Sequence, residues 1–242
     1  MEIDFLKKIV KEAERMSRQS YEVHQKGDDE DLVTSLDTEI ERYLITQINE
    51  HCPEFDIVSE EYNAKKTVTD NCFIIDPIDG TINFANGMPL WGIQIACRKN
   101  GETIASVIDL PDLNEFYYAD QTGAYLNDKK IRVREVPIKN AVYSVLGGDP
   151  FPVMERIRQF SKNHRLLHAS CVTFAYVASG RMHGAVFRKE QPWDYEPGMF
   201  LCQMAGAKVK HARGFHTVAM NQELMNILER ETARDMKEGD DD

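Results

Sequence analysis

The sequence predicts an α+β fold in which helices and sheet are layered in one compact unit. Three changes of texture along the chain point to it. Residues 1–50 carry apolar positions at helical spacing, residues 56–133 break into short β-rich runs, and residues 142–205 mix helices with strands.

Taken in order, Ile3, Leu6, Val10 and Ala13 recur at helical spacing and predict an amphipathic helix over residues 1–20. The polar, acidic stretch from Gly27 to Asp31 reads as a mobile loop. A second helix is expected after Asp37, with Thr38 and Glu41 in capping-box spacing. Ile40, Leu44 and Ile48 form its apolar row, and Pro53 ends it. Strands are expected at 56–59, 72–75, 92–97, 104–109, 115–119 and 130–133, broken by Asn-Gly, Pro-Asp and Thr-Gly turns. The second half continues with strand 142–146, helices 153–161 and 172–179, strand 184–187 and helix 197–205. The expectation is a single domain over 1–242, with an N-terminal half (1–140), a C-terminal half (141–237) and a solvated acidic tail from Glu238.

At 242 residues the chain is long enough to bury a sizeable core. Its net charge of −11 argues against nucleic acid or an anionic membrane as the main partner. A small phosphate remains compatible, because bound cations would reverse the local field. Cys52, Cys72, Cys97, Cys171 and Cys202 are widely spaced without a CxxC pair, which fits a reducing cytosol and argues against a disulfide framework or a zinc site. The start, MEIDFLKKIVKEAERM, alternates apolar and charged residues and does not read as a signal peptide. No apolar run approaches the roughly 18 residues a membrane span needs. A soluble, cytoplasmic protein is expected.

The chemistry concentrates in residues 76–84, Asp-Pro-Ile-Asp-Gly-Thr-Ile-Asn-Phe. The apolar run Phe73-Ile74-Ile75 predicts a buried strand that ends in two carboxylates, and Gly80 and Thr81 can open a helical turn. Hard oxygen ligands suit Mg²⁺, and a helix start suits phosphate. Further acids stand in promising places: Asp37, Glu60 in the run Ser59-Glu60-Glu61, and Asp194 in Trp193-Asp194. Five carboxylates converging without a cation would repel one another and raise their pKa values, whereas Mg²⁺ ions would offset that charge. The plain alternatives are a capped β-turn for Asp76 and Asp79, and helix caps for Asp37, Thr81 and Asp194. Neighbours on a strand point to opposite faces, so only one of Glu60 and Glu61 should enter a site. His168 is a packing or surface residue with a minor claim on the substrate pocket.

In these segments the chain resembles the inositol monophosphatase family of lithium-sensitive, Mg²⁺-dependent phosphatases. The matching pieces are DLVTSLD (31–37), SEE (59–61), DPIDGTINF (76–84), VASGR (177–181) and PWDYEPG (192–198), in the family's order. The resemblance implies a layered αβαβα sandwich of the inositol monophosphatase and fructose-1,6-bisphosphatase type, acting as a homodimer. It implies that Glu60, Asp76 and the carbonyl of Ile78 hold one Mg²⁺ and that Asp76, Asp79 and Asp194 hold a second, with Glu60 touching a third. Thr81, hydrogen-bonded to Asp37, would help Glu60 activate the attacking water. Gly80 and Thr81 would cradle the phosphate, and Asp79 and Asp194 would face the substrate; Ala169 and Arg188 are further candidate substrate contacts in this sequence. Li⁺ would inhibit.

Departures from the family pattern fall on substrate residues. His168-Ala169-Ser170-Cys171-Val172-Thr173 stands where relatives read Gly-Ser-Ala-Ala followed by an apolar residue and an acid, and Phe187 stands where inositol phosphatases carry a Glu. Arg188 and Lys189 follow, as a solvated strand end or a second phosphate site. The expected function is hydrolysis of a small polyol or sugar phosphate by metal-activated water. The alternatives are a fructose-1,6-bisphosphatase, a phosphatase of NADP or 3′-phosphoadenosine 5′-phosphate, and a non-catalytic binding protein on the same fold.

Overall fold

Residues 2–25, 32–188, 191–212 and 214–238 are described by the structure, a computed structural model. Helix α1 (Glu2–Met16) buries Leu6, Ile9, Val10 and Ala13 along one face, the stripe expected from their spacing. Strands β1 (Val23–Gln25) and β2 (Leu32–Thr34) pair antiparallel and lead into α2 (Ser35–His51). The expected loop at 27–31 and Lys189 lie outside the described residues. Helix α2 starts earlier than predicted. Its cap is Thr34, whose N–H and hydroxyl both donate to Asp37 Oδ2 at 2.8 and 2.5 Å, so Asp37 lies in the first helical turn. Thr38 and Glu41 do not form the predicted capping box: Thr38 donates to Ser35 O, and Glu41 serves a neighbouring strand.

The sheet region holds β3 (Asp56–Ser59), β4 (Cys72–Asp79), helix α3 (Thr81–Ala85), β5 (Gly92–Lys99), β6 (Glu102–Leu110), β7 (Glu115–Asp120), β8 (Gly123–Leu126) and β9 (Lys129–Lys130). Among the described residues these strands form a seven-stranded sheet in chain order, parallel at β3–β4 and antiparallel onward. The strand predicted at 130–133 is therefore shorter and earlier, with β8 supplying the partner the sequence did not reveal.

The second half contains β10 (Val142–Leu146), α4 (Phe151–Ile157), β11 (Asn163–His164), α5 (Ser170–Ala178), β12 (Gly184–Arg188), α6 (Pro192–Met204), β13 (Lys208–Ala212), β14 (Phe215–Ala219) and α7 (Gln222–Glu238). Its strands form a five-stranded sheet in the order β11-β10-β12-β14-β13. Helix α6 begins at Pro192, where a missing N–H is harmless, instead of at Pro197, which lies inside the helix. Glu238 ends α7 and does not open a tail; residues 239–242 lie outside the described residues.

Alternating side chains build the layers. On the seven-stranded sheet, Phe73, Ile75, Ile93, Ile95 and Val107 pack against α1 and α2. From the other side Ile108, Tyr117 and Ala119 meet α5 and α6, which in turn cover Ala185 and Phe187 of β12. The opposite residue, Val186, packs with Tyr143 and Val145 against α4 and α7. Five layers result: helices, sheet, helices, sheet, helices. Strand β4 is buried on both faces, which explains its unbroken apolar run. All five cysteines are unpaired, and burial pushes the Cys97 thiol up to about 12, as an inert filler requires.

Candidate active site

Strand β4 delivers two motif aspartates to one place by a local irregularity. Residues three apart on a regular strand face opposite sides of a sheet. Asp76 pairs with Gln94 but Asp79 with Gly92, so three steps on β4 meet two on β5, and the bulge turns both carboxylates the same way. Pro77 sits inside the bulge, where a lost N–H breaks no ladder bond. Gly80 follows at φ +84°, and a Cβ there would lie 3.0 Å from both Ala169 Cβ and Leu90 O. This turn starts α3 with Thr81.

The third aspartate comes from the central helix layer. Asp194 is in the first turn of α6, where its Oδ2 accepts the Gln191 N–H at 2.8 Å. Trp193 beside it packs on Val58, Cys72, Ile74 and Ala96, anchoring the helix start against β3, β4 and β5. One oxygen from each of Asp76, Asp79 and Asp194 then lies within 4.8 Å of the others.

The electrostatics of this cluster call for a cation. Asp76 is buried, and its Oδ1 has no hydrogen-bond partner among the described residues. Burial, then the charges of Glu60, Asp79 and Asp194, hold its carboxyl well above the usual range. Burial raises Asp79 as well, although the Cys171 N–H at the start of α5 donates to its Oδ2 at 2.6 Å and opposes the shift. Mutually repelling hard oxygens with an unpartnered lone pair fit Mg²⁺ or a similar divalent ion.

Around the cluster is a cavity of about 640 Å³ whose wall includes Glu60, Ile78, Gly80, Thr81 and Ala169 together with Asp76, Asp79 and Asp194. Of the Glu60–Glu61 pair, Glu60 is the one on the wall. Asp37 stands behind Thr81: the Thr81 hydroxyl is 3.4 Å from Asp37 Oδ1 and 2.9 Å from the Ile78 carbonyl. Burial raises the Asp37 carboxyl to about 6, against its bonds from Thr34.

Arg188 is not the solvated strand end that the sequence allowed, and it is not among the residues that line the cavity. It is buried behind the wall, with Nε and Nη2 donating to Gly147 O at 3.1 and 3.0 Å and Nη2 also bonded to Asp149 O. Phe187 stacks on Phe174 in the core, with ring centroids 3.9 Å apart.

Two features escaped the sequence reading. Glu41 is buried and accepts Ser59 Oγ, Glu61 N and Tyr62 N at 2.6, 2.8 and 2.7 Å, which pins the turn carrying Glu60. The sequence offers Glu41 only as a capping-box partner of Thr38, and nothing local marks this role. Gly147 and Gly148, at φ +78° and +60°, form part of the cavity wall after β10. A glycine pair at the end of a predicted strand was the available signal.

A sequence profile of the inositol monophosphatase family matches residues 3–237. The chain belongs to that family. It is 33% identical over 207 residues to a fructose-1,6-bisphosphatase/inositol-1-monophosphatase of Thermotoga maritima, an alignment covering 84% of this chain and 80% of the relative. It is also 33% identical over 206 residues to the Nus factor SuhB of Vibrio cholerae, covering 78% and 75%. The solved structure of a Thermotoga maritima IMPase matches with a TM-score of 0.85 at 28% identity, over 95% of this chain and 96% of that one. The family is one of phosphoric monoester hydrolases, and this chain is an enzyme of that class. The five-layer fold implied by the resemblance is the fold observed.

Proposed function

We propose that this chain is a Mg²⁺-dependent phosphomonoesterase acting on a small polyol or sugar phosphate. The observation that carries the reading is the convergence of Asp76, Asp79 and Asp194 within 4.8 Å on a cavity that also presents Glu60 and Thr81. Glu60, Asp76, Asp79, Asp194 and the Ile78 carbonyl would hold the metal. That carbonyl keeps a second lone pair while accepting from Thr81. Bound Mg²⁺ supplies neutralising charge, Lewis-acid polarisation of the phosphoryl group and acidification of water.

The remaining work falls to the chain. Gly80 and Thr81 N–H groups, at the start of α3, donate to phosphate oxygens. Thr81 Oγ orients the attacking water by accepting a hydrogen bond from it, and the Thr81 hydroxyl keeps its own proton, donated to Asp37 Oδ1 when it turns from Ile78 O. Asp194 and Asp79 face the leaving alcohol. On this reading residues 1–237 act as one domain in a cytoplasmic homodimer that uses two or three Mg²⁺ ions and is inhibited by Li⁺.

A bisphosphate substrate has less support, because the guanidinium that would meet a second phosphate is bound to the Gly147 and Asp149 carbonyls. Phosphate release from inositol 1-phosphate, glycerol 2-phosphate and fructose 1,6-bisphosphate, with and without Mg²⁺, tests the proposal. Metal-dependent release is expected, and its absence on every phosphomonoester sinks the reading. Ligand binding by calorimetry without turnover would favour the binding-protein alternative. Asp194→Asn should lower kcat by about 100-fold or more while the circular dichroism spectrum is retained.

A further inference from the structure

We propose that the imidazole of His168 is a specificity-determining contact, pairing with a hydroxyl of the substrate's leaving alcohol. The inference rests on the phosphatase reading above and deepens it, by naming the side chain that tells a hydroxylated ester from a bare one. The first observation is conformational. His168 has φ +52°, in the left-handed region that glycine enters freely and a residue with a Cβ enters only at a cost. Such residues persist where the surroundings over-determine them, and they cluster at ligand sites. Here the buried Asn83 amide nitrogen donates to Leu167 O at 2.9 Å and reaches His168 O at 3.5 Å. On the other flank Ala169 caps α5, and its carbonyl accepts the Thr173 N–H at 3.2 Å. Both flanks are tied to the carboxylate motif: Asn83 belongs to α3, and the Cys171 N–H of α5 donates to Asp79 Oδ2.

The second observation is that this costly position carries an unspent side chain. His168 is exposed on the cavity wall, and among the described residues its ring nitrogens have no hydrogen-bond partner and its ring no aromatic neighbour. Ala169, the next residue, lies against Gly80, where a Cβ would come within 3.0 Å of the Ala169 Cβ. The imidazole is thus one residue from the contact with the turn that cradles the phosphate. A neutral imidazole offers one donor and one acceptor, the same pair that a hydroxyl offers. A second phosphate is the poorer match, because the wall already carries Asp79 and Asp194, and the Arg188 guanidinium is turned to the Gly147 and Asp149 carbonyls.

Inositol 1-phosphate with cyclohexyl phosphate, and glycerol 2-phosphate with isopropyl phosphate, are two pairs of esters that differ only in hydroxyls. On the Mg²⁺-loaded enzyme, in a pair whose hydroxylated member the parent hydrolyses, His168→Gly should lower kcat/KM for that member by about tenfold and for its bare partner by less than about twofold. A bare partner too poor to turn over is compared by its competitive inhibition constant. His168→Ala, which removes the ring and keeps a Cβ at the same φ, should show the same split, with a lower urea midpoint than His168→Gly. Equal losses on both members, no loss, a split confined to one variant, or any other order of midpoints overturns the inference. So does a larger loss on fructose 1,6-bisphosphate than on the hydroxylated monoester, or a parent that hydrolyses neither hydroxylated monoester but does hydrolyse another ester. No phosphate release by the parent from any phosphomonoester removes instead the phosphatase reading, and this inference with it.

Discussion

Glu41 has no accessible surface, and its burial raises the pKa of a carboxylate that still accepts three hydrogen bonds. Glu41→Gln would leave a single acceptor oxygen and set an amide N–H₂ against a donor. The expected loss is about 2 kcal/mol of stability, read from the urea midpoint. Because the turn it pins carries Glu60, the Mg²⁺ concentration for half-activation should also rise, with KM for the phosphoester changed less. At this scale the sequence was legible where chemistry is local: Asp76, Asp79, Glu60 and Asp194 stand out by their neighbours, and all four line the cavity. It was illegible where two patterns competed. Thr34-x-x-Asp37 and Thr38-x-x-Glu41 have the same spacing, and the choice between them is made by Ser59, Glu61 and Tyr62, distant in sequence.

Strand β6 and helix α1 meet at Asp109, whose Oδ1 is 3.6 Å from Lys11 Nζ and whose Oδ2 has no partner among the described residues. Burial raises this carboxyl to about 7; Lys11 opposes the shift and Glu14 adds to it. A raised folded-state pKa means that the stabilising contribution is present below the unfolded value of 3.8 and is lost as pH rises through 7. Asp109→Asn cannot ionise, so relative to the parent it should gain on the order of 3 kcal/mol between pH 4 and pH 8. Urea midpoints of both proteins at the two pH values, with Mg²⁺ present, check this; a constant gap would contradict it. Among elements, α1 was readable from its helical spacing, and the strands β3, β5 and β10 from short β-rich runs. Helix α6 was misplaced because Pro197 looks like a helix start, whereas the buried Trp193 fixes the beginning one turn earlier. Strands β13 and β14 were missed: β13 lies at a sheet edge and is polar, so no alternation of apolar residues announces it.

Across the whole molecule, the carboxylate cluster sets stability against metal supply. Mg²⁺ at a hundredfold excess over its dissociation constant should add about 2.7 kcal/mol, or roughly 5–10 °C in Tm for a chain of this size. Calorimetric scans with Mg²⁺ and with a chelator measure it, and equal Tm values would argue against a cation at Asp76, Asp79 and Asp194. The layered α+β class was legible because textures change in blocks, but the second sheet was not, since its order β11-β10-β12-β14-β13 departs from chain order. The cluster also straddles that division: Asp76 and Asp79 come from the first half of the chain and Asp194 from the second. A nascent chain that has emerged only as far as the seven-stranded sheet carries two of the three carboxylates, and no helix yet holds the third against them. On the proposed reading, cation capture would be a late event in synthesis, and a loaded site would mark a finished molecule.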